Sequence, residues 1–156
     1  MNISPTLAKE LAKNGISYDI VSHRPAYSSL HVASTAHIPS EKMVKTVILE
    51  DDQGFVMALL PANQYVKINK LNSILNRNMG LAIETELNYV FSDCEKGAIP
   101  PIGNAYGMYT IVDYDLDACE DVYIESGNHT ELLHLSGSGF RKLVERSQHA
   151  NIGMYG

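Results

Sequence analysis

Two apolar runs, MVKTVILE at 43–50 and GFVMALLP at 54–61, meet across the polar stretch DDQG. A connection that short can join only antiparallel neighbours, because parallel strands need a crossover of a dozen or more residues. The chain is therefore committed to a sheet with this hairpin at its heart, and its other segments must cover that sheet. Ser4 followed by Pro5 predicts a helix start, with Leu7 and Leu11 on one face and Gly15 as the stop. YDIV (18–21) reads as a strand, Ser28 or Ser29 as the cap of a helix to about His37, and Pro39-Ser40 as a short helical turn. YVKI reads as a further short strand, and LNSILNRNMG as a helix with Leu71, Ile74 and Leu75 on one face and Gly80 as C-cap. LAIE and a helix over about 85–91 lead to a proline-rich loop; MYTIV and VYIE beyond it read as strands. Ser138 is expected to cap a last helix bearing Phe140, Leu143 and Val144, and the final ten residues to form a frayed tail. The pattern predicts an α+β fold with a mixed sheet and one compact domain over 1–156, with a tail at 147–156.

Composition narrows the function. No window approaches the ~18 consecutive apolar residues of a membrane span, and the N-terminus lacks a signal-peptide core, so a cytoplasmic protein without a membrane partner is expected. The net charge of −6 argues against wholesale phosphate neutralisation; Lys67, Lys70 and Arg77, or Arg141, Lys142 and Arg146, would form local basic patches at most. Cys94 and Cys119 have neither disulfide-framework nor zinc spacing. DYDLD begins like a calcium loop, but Ala118 and Ile124 stand where Gly and Glu are required, leaving a solvated turn. His31 and His37 are about 240° apart on a helix and cannot share a metal. Neither metal nor cofactor is expected.

Three segments carry residues unusual for their positions. Lys45 interrupts an apolar strand, either as an edge lysine whose stem packs or as a cation aimed into a pocket. GAIPPIG, bracketed by Gly97 and Gly103, joins glycines that permit close approach to two prolines that stiffen the backbone. Its exposed N–H groups could meet a ligand without an ordering cost, or the loop is simply a rigid connection. His129 follows Ser126, Gly127 and Asn128 at a strand end, as a turn residue or a pocket donor.

Taken together, VKTVIL, GAIPPIG and VYIESGNHTELLHLSGSGFRKL, with YDIVSHRPAYSS and VMALLPA, resemble the YbaK and prolyl-tRNA synthetase-associated editing domain family in its freestanding form, over about Ile16 to Val144. The resemblance implies an α+β domain with a barrel-like sheet flanked by helices. It also implies trans-editing, the hydrolysis of a small amino acid from mischarged tRNA, without a cofactor. The family's essential lysine falls on Lys45, and its GxxxP loop on Gly97, Ala98, Ile99, Pro100 and Pro101, closed by Gly103. Its GNH turn falls on Gly127, Asn128 and His129, which the resemblance sets beside the substrate pocket. Pro100 stands where relatives vary, and pocket residues vary more, so alanine, serine, threonine and cysteine all remain open as the acyl group.

The chemistry suits these residues. An aminoacyl-tRNA is an activated ester, whose cleavage requires a positioned water and a place for the oxyanion more than a strong nucleophile. Lys45 should stay protonated, since bringing a lysine from about 10.4 to neutrality takes more than three units at about 1.36 kcal/mol each. It is expected to act as an electrostatic clamp on the terminal phosphate or the ester, with backbone N–H groups of 97–101 on the carbonyl. Its loss should then slow turnover by roughly a hundredfold or more. The acidic surface suggests contact with the tRNA acceptor end alone, with affinity supplemented by an aminoacyl-tRNA synthetase or elongation factor. Two other readings fit the residues: a non-catalytic aminoacyl- or nucleotide-binding regulatory module, and a lysine Schiff-base enzyme.

Overall fold

Ser4 opens the first helix: its hydroxyl accepts from the Leu7 N–H, and α1 runs Pro5–Lys13 with Leu7 and Leu11 buried. The structure, a computed structural model, describes residues 3–155 apart from the side chain of Glu84. After α1 come β1 (Asp19–Ser22), α2 (Ser29–Thr35, capped by Ser28), a 3-10 turn at Ser40–Lys42, β2 (Val44–Asp51) and β3 (Gly54–Pro61). β4 (Gln64–Val66), α3 (Ile68–Leu75), β5 (Gly80–Leu81) and α4 (Glu84–Val90) precede the proline loop and a 3-10 turn at Gly103–Tyr106. The chain ends in β6 (Tyr109–Asp113), α5 (Tyr114–Asp117), β7 (Asp121–Glu125), β8 (Glu131–Ser136), α6 (Gly137–Leu143), β9 (Gln148–Ala150) and β10 (Gly153–Tyr155).

The predicted hairpin is the centre of a five-stranded sheet of order β5-β2-β3-β6-β9. Val44 pairs with Pro61 and Asp51 with Gly54 in antiparallel register, whereas β6 lies parallel to β3 and β9 parallel to β6. A three-stranded sheet β1-β8-β7 and the pair β10-β4 complete the strands. A parallel bridge between Met43 and Tyr123 ties the start of β2 to β7, which gives the mixed, barrel-like α+β arrangement. Both faces of the hairpin are covered. Val44, Ile48, Met57 and Leu59 pack on one side with Leu7, Ile124 and Phe140, while Leu49, Val56 and Ala58 pack on the other with Leu71, Ile111 and Ile152. Double coverage is why GFVMALLP is almost continuously apolar rather than alternating. Among the described residues no helix is long and apolar enough to cross a membrane.

Several local expectations change. Helix α3 ends at Asn76, which takes the left-handed conformation at φ 54°, and Gly80 instead starts β5. Ser136, not Ser138, caps α6, its hydroxyl accepting from the Gly139 N–H at 3.0 Å. ELLHLS, to which the sequence reading assigned no element, is β8, with Leu132, Leu133 and Leu135 buried. DYDLD is a solvated turn as expected, with Tyr114 and Asp115 exposed, but it is helical and capped. The Asp113 side chain caps α5 through the Asp115 N–H at 2.9 Å and also accepts from the N–H groups of Ile152 and Gly153 at 2.8 and 3.0 Å. Those last bonds overturn the frayed tail: residues 148–155 supply two strands, and Ile152 is fully buried. Arg77 is also unavailable to a basic patch, because its guanidinium forks onto the Asp51 carboxylate.

Candidate functional site

A cavity of about 170 Å³ opens on the inner side of the hairpin. Thr46 and Ile48 of β2, Leu87 and Phe91 from the α4 segment, Gly97 and Ile99 of the proline loop, and Glu125 at the end of β7 are in its wall. Strand pleating decides which side chains reach it, since successive residues point to opposite faces. Thr46 and Ile48 face the cavity. Val47 and Leu49 pack instead with Leu71 of α3.

Lys45 belongs to that second set. Its ammonium donates to the Gln64 carbonyl oxygen and lies 4.5 Å from the centroid of the Tyr65 ring, and the residue is not in the cavity wall. Partial burial lowers its pKa from the ordinary lysine value. The expected sharing of one cavity by Lys45 and the proline loop is therefore not what the structure displays; the neighbour, Thr46, makes that contact, its hydroxyl donating to the Ile99 carbonyl at 3.2 Å.

The loop and the GNH turn, by contrast, are brought together. The Glu95 N–H donates to the Gly127 carbonyl at 2.7 Å, and the Glu95 carboxylate accepts from the His129 N–H at 2.9 Å. The His129 ring stands behind Gly97, where an added β-carbon would lie 3.7 Å from Cε1, and the Tyr27 ring packs against it at 4.5 Å between centroids. His129 Nδ1 is buried and has no partner among the described residues. Within the loop the Ala98 N–H is spent on the Glu95 carbonyl at 3.0 Å, and the prolines have none to offer. The N–H groups of Gly97 and Ile99 donate to no acceptor among the described residues.

The remaining predicted residues hold the scaffold. Asn128 accepts from the Thr130 N–H and hydroxyl and donates to the Glu131 carboxylate, which shapes the turn. Ala98, Pro100 and Pro101 are buried, and Pro101 and Gly103 border a separate depression beside Glu10 and Leu143. Gly103 has no room for a β-carbon, which would run into Thr110 Oγ1. Gly127 sits at φ 104°, and a β-carbon there would come 2.9 Å from Cβ of Ser4. Gly127→Ala is accordingly expected to cost about 1–3 kcal/mol, read as a lower midpoint in urea unfolding.

Glu125 is the residue the sequence reading missed. The available signal was an acid closing the apolar strand VYIE immediately before the Ser-Gly-Asn-His turn. It is only 7% exposed, its Oε1 has no hydrogen-bond partner among the described residues, and burial pushes its carboxyl up to about 8. The thiol of Cys94, also in the wall, is raised to about 11, chiefly by burial, which makes it a poor nucleophile at neutral pH. Up to about pH 8 burial keeps the Glu125 carboxyl neutral in the folded protein, while the unfolded chain ionises from its ordinary 4.5. Its contribution to stability is therefore full below that value and is lost as pH rises to about 8, at about 1.36 kcal/mol per unit. Thermal unfolding should show this decline between pH 5 and about 9 in the native chain and a flatter profile in Glu125→Gln.

Solved structures share this fold. A candidate trans-editing enzyme for prolyl-tRNA synthetase superposes with a TM-score of 0.82 at 16% identity, covering 98% of this chain and 99% of the other. The hypothetical protein APE2540 gives 0.83 at 19% identity, with 96% and 99% covered. A candidate signal transduction protein from Marinobacter aquaeolei VT8 gives 0.79 at 21% identity over 96% of this chain, which spans only 30% of that longer one. No curated protein matches the chain. The model of the aminoacyl-tRNA editing domain matches residues 23–143, a span that takes in the hairpin, the proline loop, Glu125 and the GNH turn. On that match the chain belongs to the aminoacyl-tRNA editing domain family.

Proposed function

We propose that this chain acts in trans as a hydrolase that removes a small amino acid from mischarged tRNA in the cytoplasm. The observation that carries this reading is the cavity beside Gly97 and Ile99: at about 170 Å³ it suits an aminoacyl group, whereas drug-sized ligands occupy roughly 300–1,000 Å³. Its apolar members, Ile48, Leu87 and Phe91, favour a small side chain over water. The N–H groups of Gly97 and Ile99 are suitable donors to the ester carbonyl as negative charge develops on it, and the doubled proline keeps them from rearranging. Water, assisted by the neighbouring ribose hydroxyl, attacks the carbonyl carbon; the ester C–O bond breaks, and the leaving ribose oxygen takes a proton. A methylene difference between amino acids is worth only about 1–3 kcal/mol to a synthetase, which is the physical reason for a second sieve.

Lys45 is assigned to the RNA backbone rather than to the ester. Its ammonium lies beside the Gln64 carbonyl and the exposed Tyr65 ring, where it can exchange that carbonyl for a phosphate oxygen. The net charge of −6 suits a protein that holds only the acceptor end and gains further affinity from a synthetase or elongation factor.

The test is a deacylation screen of the purified chain on tRNAs charged with alanine, serine, threonine or cysteine. Multiple turnovers on at least one, with bulky aminoacyl-tRNAs spared, is the expected result. Stoichiometric binding without turnover would make the chain a binding module instead.

A further inference from the structure

The wall of the cavity contains a feature that ester hydrolysis as described above does not use. Glu125 lies at the end of β7, 7% exposed, with Oε1 unpartnered among the described residues. The nearby Glu95 carboxylate is already engaged by the His129 N–H at 2.9 Å. A buried acceptor without a partner is a cost to folding, and groups of this kind persist where something outside the chain completes them.

An aminoacyl ester presents five kinds of group to such a site: the carbonyl, the ester oxygen, ribose hydroxyls, a small side chain and the α-ammonium. The carbonyl and ester oxygens only accept hydrogen bonds, are matched by the Gly97 and Ile99 N–H groups, and supply no donor to the unpartnered Oε1 of Glu125. The small side chain belongs with Ile48, Leu87 and Phe91. Among the groups of the aminoacyl moiety, the ammonium alone has positive charge and several donors to offer. We propose that the Glu125 carboxyl group receives the α-ammonium of the aminoacyl ester, so that this site accepts substrates only with a free α-amine.

This assignment rests on the editing reading of the cavity and adds a selection to it. On entry of the ammonium the carboxyl releases its proton to water and becomes the carboxylate of a buried ion pair. Burial is the cause that raises the carboxyl in the empty site, and the arriving charge opposes it. An N-acylated aminoacyl-tRNA brings no charge and leaves Glu125 uncompensated, while its acyl group adds bulk. Peptidyl-tRNA and N-blocked aminoacyl-tRNA would thus be spared by the same residue that welcomes a free aminoacyl group.

The test compares alaninamide with N-acetylalaninamide by NMR titration of the whole chain, and alanyl-tRNA with N-acetylalanyl-tRNA in deacylation. Alaninamide is expected to bind and perturb the Glu125 region, and N-acetylalaninamide to bind at least about tenfold more weakly. In Glu125→Gln, which keeps the shape and removes the charge, that preference should disappear, with KM for alanyl-tRNA rising more than kcat falls. Equal binding of the two amides by the native chain, binding of neither, or a preference that survives in Glu125→Gln overturns the proposal. The first two comparisons need no variant, so a poorly folded Glu125→Gln does not blunt them. Preferential binding of alaninamide without deacylation of any tRNA would leave the ammonium receptor standing and overturn the editing reading.

Discussion

Removal of residues 147–156 is expected to lower the unfolding midpoint by more than roughly 10 °C, or to prevent folding at 37 °C. The segment contributes β9 to the edge of β6 and β10 to the edge of β4, and buries Ile152 completely. Loss of one such side chain alone costs about 2–5 kcal/mol. Deletion adds to this the strand pairing and leaves the buried Asp113 carboxylate without the two N–H groups that it receives from Ile152 and Gly153. At about 2–4 °C per kcal/mol for a chain of this size, the sum reaches well beyond the effect of an ordinary surface truncation. Differential scanning calorimetry of the full and shortened chains decides it. An unchanged midpoint would mean that β9 and β10 contribute nothing to stability. Ile152→Ala, which keeps both strands, should recover a part of the loss.

Replacing Lys45 by alanine is expected to reduce kcat/KM for deacylation roughly tenfold to a hundredfold, with the change in KM. The reasoning differs from a catalytic lysine in the cavity. A cation across β2 from the ester cannot stabilise charge on the carbonyl, but it can hold the backbone that delivers the ester, and such an interaction is made equally in the ground and transition states. Removing one phosphate contact on single-stranded RNA should also reduce the slope of log K against log salt by about 0.7. Lys45→Arg should retain most of the affinity. Measured kcat falling with KM unchanged would return Lys45 to the reacting atoms and require that its side chain leave Gln64 during turnover. Full activity in Lys45→Ala would remove it from the function altogether.

The local signals that stood in the chain were those whose causes are local. Ser4 with Pro5 opened a helix because capping and a preset φ need only neighbouring residues. The hairpin of 43–61 was legible because a short polar connection between apolar runs admits one kind of pairing. The resemblance over most of the chain followed from the order of VKTVIL, GAIPPIG and the GNH turn, and it named the family to which the chain belongs. The meeting of Glu95 with Gly127 and His129 had no local signature, being a contact across 32 and 34 positions. The last strands escaped for the same reason: QHA and GMY are too short to declare themselves, and become strands when β6, β4 and Asp113 offer partners.

The side of β2 to which Lys45 points marks the same boundary. Period-2 alternation puts Lys45 and Thr46 on opposite faces, yet nothing in the run VKTVIL says which face the proline loop will cover. Assembly answered in favour of Thr46 and Ile48, and sent the cation to Gln64 and Tyr65. Glu125 is the complementary case, an ordinary acid in the chain that becomes buried, with Oε1 unpartnered among the described residues, once β7 closes against the loop. Helix starts, the central hairpin and the family could be read from residue order because short-range sterics and hydrogen bonding specify them. Which groups line the cavity, and in what charge state, depends on burial and on contacts between distant segments, and those exist only once the chain has closed on itself.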